Sequence, residues 1–179
     1  ARITEELKPV AIITFSRGNP GSSWEIETRH RRRARNRWSP DYSSPTLPDE
    51  DIPIFQALPV GTDLFTSLPI DDIRSAVDGA GIIDDVYIDS TGTGGNFLSE
   101  FIGLHGVWYH SMNNADDAAF QNFAAGHIHV GIDTPFDAAV QATEITLRTL
   151  TSYLDTVIPA PGSLATGMLG LALIGRRRR

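Results

Sequence analysis

Cysteine is absent from the 179 residues, so the chain has neither a disulfide nor a thiol nucleophile. That absence is compatible with any compartment. Positive charge is also in short supply. Fifteen Lys and Arg against 22 Asp and Glu leave a formal charge of −7, which gives no general reason to expect nucleic-acid binding. The basic residues present are bunched: six arginines lie in "RHRRRARNR" (residues 29–37), four more are Arg176 to Arg179, and five basic residues serve the rest. Long apolar runs are scarce too. Gly162 to Gly175 is 14 residues, shorter than the roughly 20 that span a bilayer unaided. The first residue is Ala1, with no signal peptide before it, which reads as a processed N-terminus or a fragment.

Hydrophobic residues make up 41% and charged residues 21%, enough for one domain with a buried core. "ITEELKP" reads as the end of an amphipathic helix stopped by Pro9. "VAIITFS" (residues 10–16) reads as a strand buried on both faces, and "WEIET" as a second. Residues 38–53 carry Pro40, Pro45, Pro48 and Pro53 and read as a long irregular segment. "LPIDDIRSAVDGAGI" has helical spacing at Ile70, Ile73 and Val77, ended by Gly79 to Gly81. "DDVYIDS" is the next strand. Phe97, Leu98, Phe101, Ile102, His105, Trp108 and Tyr109 then follow one helix face. "AGHIHVG" is another strand. "DTP" opens a helix with a capping residue and an early proline, running through Val140, Leu147, Leu150 and Leu154. Strands alternating with helices predict a three-layer αβα fold with a mainly parallel sheet. The loops "STGTGG" and "HVGIDTP" are then expected at one edge of it, where ligands collect.

Several residues in those loops have chemistry to offer. "GTGGNFLSEF" (residues 92–101) looks like a strand running through glycines into a helix, which places Ser99 in a first helical turn. It is a nucleophile or an ordinary first-turn serine. "GTGG" lacks the lysine and spacing of a phosphate-binding loop. His127 and His129 point to the same side of a strand. With only Asp133, His105 and His110 as further ligand candidates, no metal is expected. One satisfied core histidine beside one catalytic histidine is the preferred reading, leaving nucleophilic catalysis by a hydroxyl, a base and an orienting acid.

"GGNFLSEF" followed by "AGHIHVGIDTP" resembles type I pyroglutamyl peptidase (pyrrolidone carboxyl peptidase). That family carries Ala-Gly-Thr-Tyr-Leu-Cys-Asn, then Gly-Phe-Ile-His-Val-Pro and a Thr-Pro helix start. Gly95, Phe97 and Leu98 match, Ser99 falls on the nucleophilic cysteine, Glu100 replaces an Asn, and His129 falls on the catalytic histidine. "LPIDDIRSAVDGAGI" is similar to the helix before the family's nucleophile strand. "LKPVAIITFSRGNPGSSWEIET…ARN…LPDED" resembles the block holding the acidic triad member, with Glu27 the better match and Glu25 the alternative. The resemblance covers roughly residues 7–154. It implies a phosphorylase/hydrolase-like αβα fold and removal of N-terminal pyroglutamate from peptides, with no cofactor and frequent homo-oligomers. On this reading Ser99, His129 and Glu27 are catalytic. Backbone N–H groups around Gly94, Gly95 and Asn96 receive the oxyanion, since glycines let a ligand come close to the backbone. The family's opening strand and its Gly-Phe-x-Pro-Phe-type loop have no counterpart here, so the domain is expected to be truncated at its front. The alternative is a surface or binding module that kept the fold and lost catalysis with the thiol.

The C-terminal "IPAPGSLATGMLGLALIGRRRR" resembles the PEP-CTERM sorting signals of exported bacterial proteins, with Pro159-Ala160-Pro161 in place of Pro-Glu-Pro. Four arginines after an apolar run look like a positive-inside stop. The chain therefore divides into a peptidase-like domain, residues 1–157, and a tail, residues 158–179. The tail implies export to the periplasm or cell surface with a transient membrane anchor; without it, the alternative is a cytoplasmic protein.

Overall fold

The structure is a computed structural model and describes residues 6–40, 47–48, 52–90, 95–115 and 120–159. In chain order its elements are β1 (Ala11–Arg17), β2 (Ser23–Glu27), β3 (Arg29–Arg31), α1 (Pro53–Ala57), β4 (Asp63–Phe65), α2 (Ile70–Gly79), β5 (Asp85–Asp89), α3 (Leu98–Met112), β6 (Ala124–Val130) and α4 (Phe136–Val157). The central sheet has the order β1-β6-β2-β5, and β3 pairs with β4 in a small second sheet. β1 runs parallel to β6 and β2 parallel to β5, while β2 and β6 are antiparallel. Two of the three ladders are thus parallel, and the fold is the mainly parallel α/β architecture expected.

The antiparallel ladder corrects one expectation. β5 and β6 point in opposite directions, so the segments that follow them leave at opposite ends of the sheet, not at a shared edge. The cause is local. A parallel crossover needs a dozen or more residues, and the link from β1 to β2 is only Gly18 to Ser22, so the chain can only turn back.

Alternation along the strands divides the two faces of the sheet. Trp24, Ile26, Ala124 and Ile128 pack with Ile73, Val77 and Leu150 of α2 and α4. Ala125 packs with Phe101, Leu104 and Val107 of α3 and with Ile54 of α1. β2 is buried at all five positions, so Glu25 and Glu27 face inward on the α3 side. β1, expected to be covered on both faces, is half-buried along most of its length; among the described residues only β6 pairs with it.

Two helices bury faces rotated from those predicted. On α3 Leu98 and Ile102 are exposed, and the buried set includes Glu100, Phe101, Gly103, Leu104 and Gly106. The glycines decide this. A Cβ at Gly103 would lie 2.5 Å from His30 Cε1, and one at Gly106 would lie 3.3 Å from Ile12 Cγ2, so the helix rests its bare backbone on the sheet. On α4 the inward face is Ala142, Thr146 and Leu150, while Val140 and Leu147 are exposed. Small residues again allow the closer approach. The expected capping residue of α4 is used elsewhere: Asp133 accepts a hydrogen bond from Gly21 N–H at 2.8 Å, and the N-cap position is Pro135. The β3–β4 pair was not anticipated, because "RHR" has no apolar signal. Arg31 holds it, donating to both Asp63 oxygens at 2.7 Å.

Among the described residues no helix is long and apolar enough to cross a membrane. The tail beyond residue 159 and Gly94 lie outside the described residues.

Candidate active site

His129 stands near the end of β6, opposite Glu25 in the antiparallel ladder. Its Nδ1 lies 3.3 Å from Glu27 Oε1 and 3.8 Å from Glu25 Oε2, and all three side chains are at least nine-tenths buried. Burial opposes protonation of His129. The neighbouring carboxyl groups of Glu25 and Glu27 outweigh it, and the imidazole is raised above its usual range. Burial pushes Glu27 up to about 8 against the pull of His129, so near neutrality it holds a proton that an exposed glutamate would release. The other ring nitrogen, Nε2, is buried with no hydrogen-bond partner among the described residues.

Ser99 is the second residue of α3 and is half-buried. His110 Nδ1 meets Asn122 Oδ1 at 3.0 Å just before β6 begins, and Gly103 lies over His127, so α3 runs antiparallel to β6. From Gly103 back to Ser99 is about 6 Å along the helix. From His127 on to His129 is about 6.6 Å along the strand. Both steps go the same way and bring Ser99 level with His129, but no hydrogen bond joins Ser99 to His129 Nε2.

The loop before α3 is fastened to the arginine segment. Gly95 has φ +84, and its carbonyl accepts from Arg33 Nε at 2.9 Å. Asn96 donates through Nδ2 to the Arg37 carbonyl at 3.1 Å and accepts from Ser39 N–H at 2.8 Å. Arg32 is buried over the Phe55 ring, 4.2 Å from its centroid. Much of residues 29–37 is therefore committed to internal contacts.

His127 is the satisfied histidine of the pair. Nδ1 meets Thr14 Oγ1 at 2.7 Å and Nε2 meets Ser16 Oγ at 2.8 Å, so both ring nitrogens are occupied. Burial and the neighbouring His129 and His30 push it down to about 2. The other ligand candidates are dispersed: His105 Nδ1 meets the Phe101 carbonyl, His110 meets Asn122, and Asp133 meets Gly21.

One buried pair had no sequence signal. Glu100 is wholly buried; Oε1 accepts from Arg31 N–H and Oε2 meets His30 Nδ1, each at 2.9 Å. Burial pushes Glu100 up to about 9, the Arg31 bond opposing, and pushes His30 down to about 4. Burial thus favours the neutral form of both. With Oε1 accepting from the backbone, the proton of a neutral carboxyl belongs on Oε2, facing His30 Nδ1. In sequence Glu100 is an ordinary first-turn acid, and only the close approach at Gly103 buries it.

A groove of about 290 Å³ opens at the carboxyl ends of β1 and β6, lined by Phe15, Ser16, Arg17, Val130, Gly131 and Ile132. It is mostly apolar, and its Phe15 and Val130 belong to the α2/α4 side of the sheet, the face opposite His129.

His129, with Glu25 and Glu27 beside it, is thus buried on the α3 face of an αβα scaffold. Neither a family model nor a characterised protein matches the sequence. Among solved structures the chain is similar to a single-site variant of pyrrolidone carboxyl peptidase from Pyrococcus furiosus, with 21% identity, a TM-score of 0.66, and coverage of 86% of this chain and 74% of that one. It is also similar to pyrrolidone carboxyl peptidase from Thermococcus litoralis, with 20% identity, a TM-score of 0.60, and coverage of 89% and 75%. The fold is that of the pyrrolidone carboxyl peptidases.

Proposed function

We propose that this chain is a peptidase-like hydrolase that removes N-terminal pyroglutamate from peptides, with Ser99 as nucleophile, His129 as general base and Glu27 as the orienting acid. The observation that carries the reading is His129 Nδ1 at 3.3 Å from a fully buried glutamate, level with the first turn of α3. With Nδ1 turned to the acid, Nε2 is left to take the serine proton, as acyl transfer by a hydroxyl requires. Hydrogen bonds of this kind tighten on substrate binding, so the open Ser99–His129 contact is compatible with the role. Backbone N–H groups of Gly95 and Asn96 are candidates for the oxyanion. Glu25 remains the alternative acid.

A second reading, a non-catalytic module of the same fold, is favoured by Glu27 holding its proton and by serine in place of the family's thiol. A fluorogenic pyroglutamyl substrate separates the two. Ser99→Ala and His129→Ala are each expected to remove most activity, with the double variant little worse, and Ser99→Cys to retain or raise it. Turnover unchanged in Ser99→Ala would refute the nucleophile. We also propose that residues 158–179 are a sorting tail, of which Gly162 to Arg179 directs membrane association and is absent from the mature protein. Intact-mass measurement on protein from the native host tests this, and a soluble product retaining Arg179 would count against it.

A further inference from the structure

A triad uses one carboxylate behind its histidine; this site has two. We propose that Glu25, Glu27 and His129 form a binding site for a divalent transition-metal ion of the Zn2+ type. Alternation along β2 puts Glu25 and Glu27 on the same face, and the antiparallel ladder sets Glu25 directly opposite His129. One ligand atom from each residue lies within 4.8 Å of the others, with Nδ1 3.3 Å from Glu27 and 3.8 Å from Glu25. Ligand atoms around tetrahedral zinc sit about 3.3 Å apart, so side-chain rotation alone closes the set.

Unmet demand for partners supplies the second observation. Both Glu27 oxygens and Glu25 Oε2 are buried with no hydrogen-bond partner among the described residues. A buried carboxylate left in that state is costly, and a dication at the centre of the three side chains takes one oxygen from each glutamate. Tyr87 pairs with Glu25 across the β2–β5 ladder and so lies on the same face of the sheet, where a phenol can orient a metal-binding carboxylate. A mixed set of one imidazole nitrogen and two carboxylates suits zinc and its first-row neighbours better than calcium or magnesium, which take oxygen alone. Three protein ligands leave the fourth position for water.

The ion has a consequence for the proposed hydrolase, and this step rests on that reading. A metal on Nδ1 of a neutral imidazole leaves the ring proton on Nε2, which then cannot accept a proton from Ser99. The metal-bound form is an inhibited form.

The test is a titration of the whole chain, stripped with chelator, using Zn2+ by calorimetry and Co2+ by visible absorption. One ion per chain is expected, with the intense absorption of four-coordinate Co2+. Glu27→Gln and His129→Gln should each weaken binding by about 100-fold or more, since even outer partners are worth up to about that much. His110→Gln, remote from the site, should bind as the parent does. Circular dichroism establishes that each variant is folded, and Glu25→Gln supplies an independent ligand variant should Glu27→Gln unfold. No saturable binding at one equivalent, or equal affinity in the folded ligand variants, overturns the proposal. If the stripped chain cleaves a pyroglutamyl substrate, Zn2+ should inhibit at its binding midpoint, and full activity at saturating Zn2+ overturns the assignment to His129. A stripped chain that binds one Zn2+ through these residues yet cleaves nothing supports the metal site and refutes the hydrolase reading alone.

Discussion

At the scale of single residues, the neutral Glu100–His30 pair gives the sharpest expectation. Oε1 accepts from Arg31 N–H, and in the neutral pair Oε2 donates to His30 Nδ1. A glutamine can reproduce both, its carbonyl accepting and its amide donating. Glu100→Gln is therefore expected to fold with little loss of stability. Glu100→Ala leaves two buried groups without partners, at a cost of about 1–3 kcal/mol each. Denaturant unfolding of the two variants measures the contrast. Equal destabilisation would mean that the carboxyl group bears charge and not a proton. Sequence reading selected Ser99, His129 and Glu27 but passed over Glu100, because nothing local distinguishes a buried first-turn acid from a solvated one.

Among the elements, α3 matters most, since it carries Ser99. Its position depends on bare backbone at Gly103, where an added Cβ would lie 2.5 Å from His30 Cε1 and 3.0 Å from His127 Cβ. Neither imidazole can easily retreat, because each is buried and held by its own hydrogen bonds. Gly103→Ala should push the helix off the sheet and destabilise the fold by about 1–3 kcal/mol, as overpacking does. If Ser99 works with His129, kcat should fall further than stability alone explains, measured well below the thermal midpoint. The helices themselves were legible from spacing and from their glycine and proline boundaries. Their buried faces were less so, since a glycine that permits close packing outweighs an apolar residue a turn away, as Gly103 does over Ile102.

For the whole molecule, buried titratable groups set the pH range of stability. Glu100 is raised from 4.5 to about 9 and Glu27 from 4.5 to about 8, burial being the main cause for both. A raised folded-state value means the native form keeps a proton that the unfolded chain releases. These groups contribute fully below about 4.5, and their contribution is lost as pH rises through 8 and 9. His30 and His127 are lowered from 6.5 to about 4 and about 2, again chiefly by burial. Their contribution is present above 6.5 and lost as pH falls through those values. The two slopes oppose each other between 4.5 and 6.5, so maximum stability is expected there, on the acid side of neutrality. Thermal midpoints from about pH 3 to about pH 10 check this. A maximum near pH 8 would contradict it, and Glu100→Gln should flatten the alkaline limb.

The sequence by itself determined the alternation of strands and helices and the αβα class, and it marked a helix-start serine and a strand histidine as candidates. These are properties of short segments, carried by hydrophobic period, turn residues and motif spacing. Only the tertiary structure decided strand direction. Whether β2 runs with or against β6 depends on the five-residue link from β1 and on β6 entering between two strands already laid down. That reversal sets Glu25 opposite His129 and Glu27 beside it. It also explains why the carboxylates could be named in advance while their shared, buried and partly unsatisfied state could not: burial belongs to a face of the assembled sheet and is no property of any one strand.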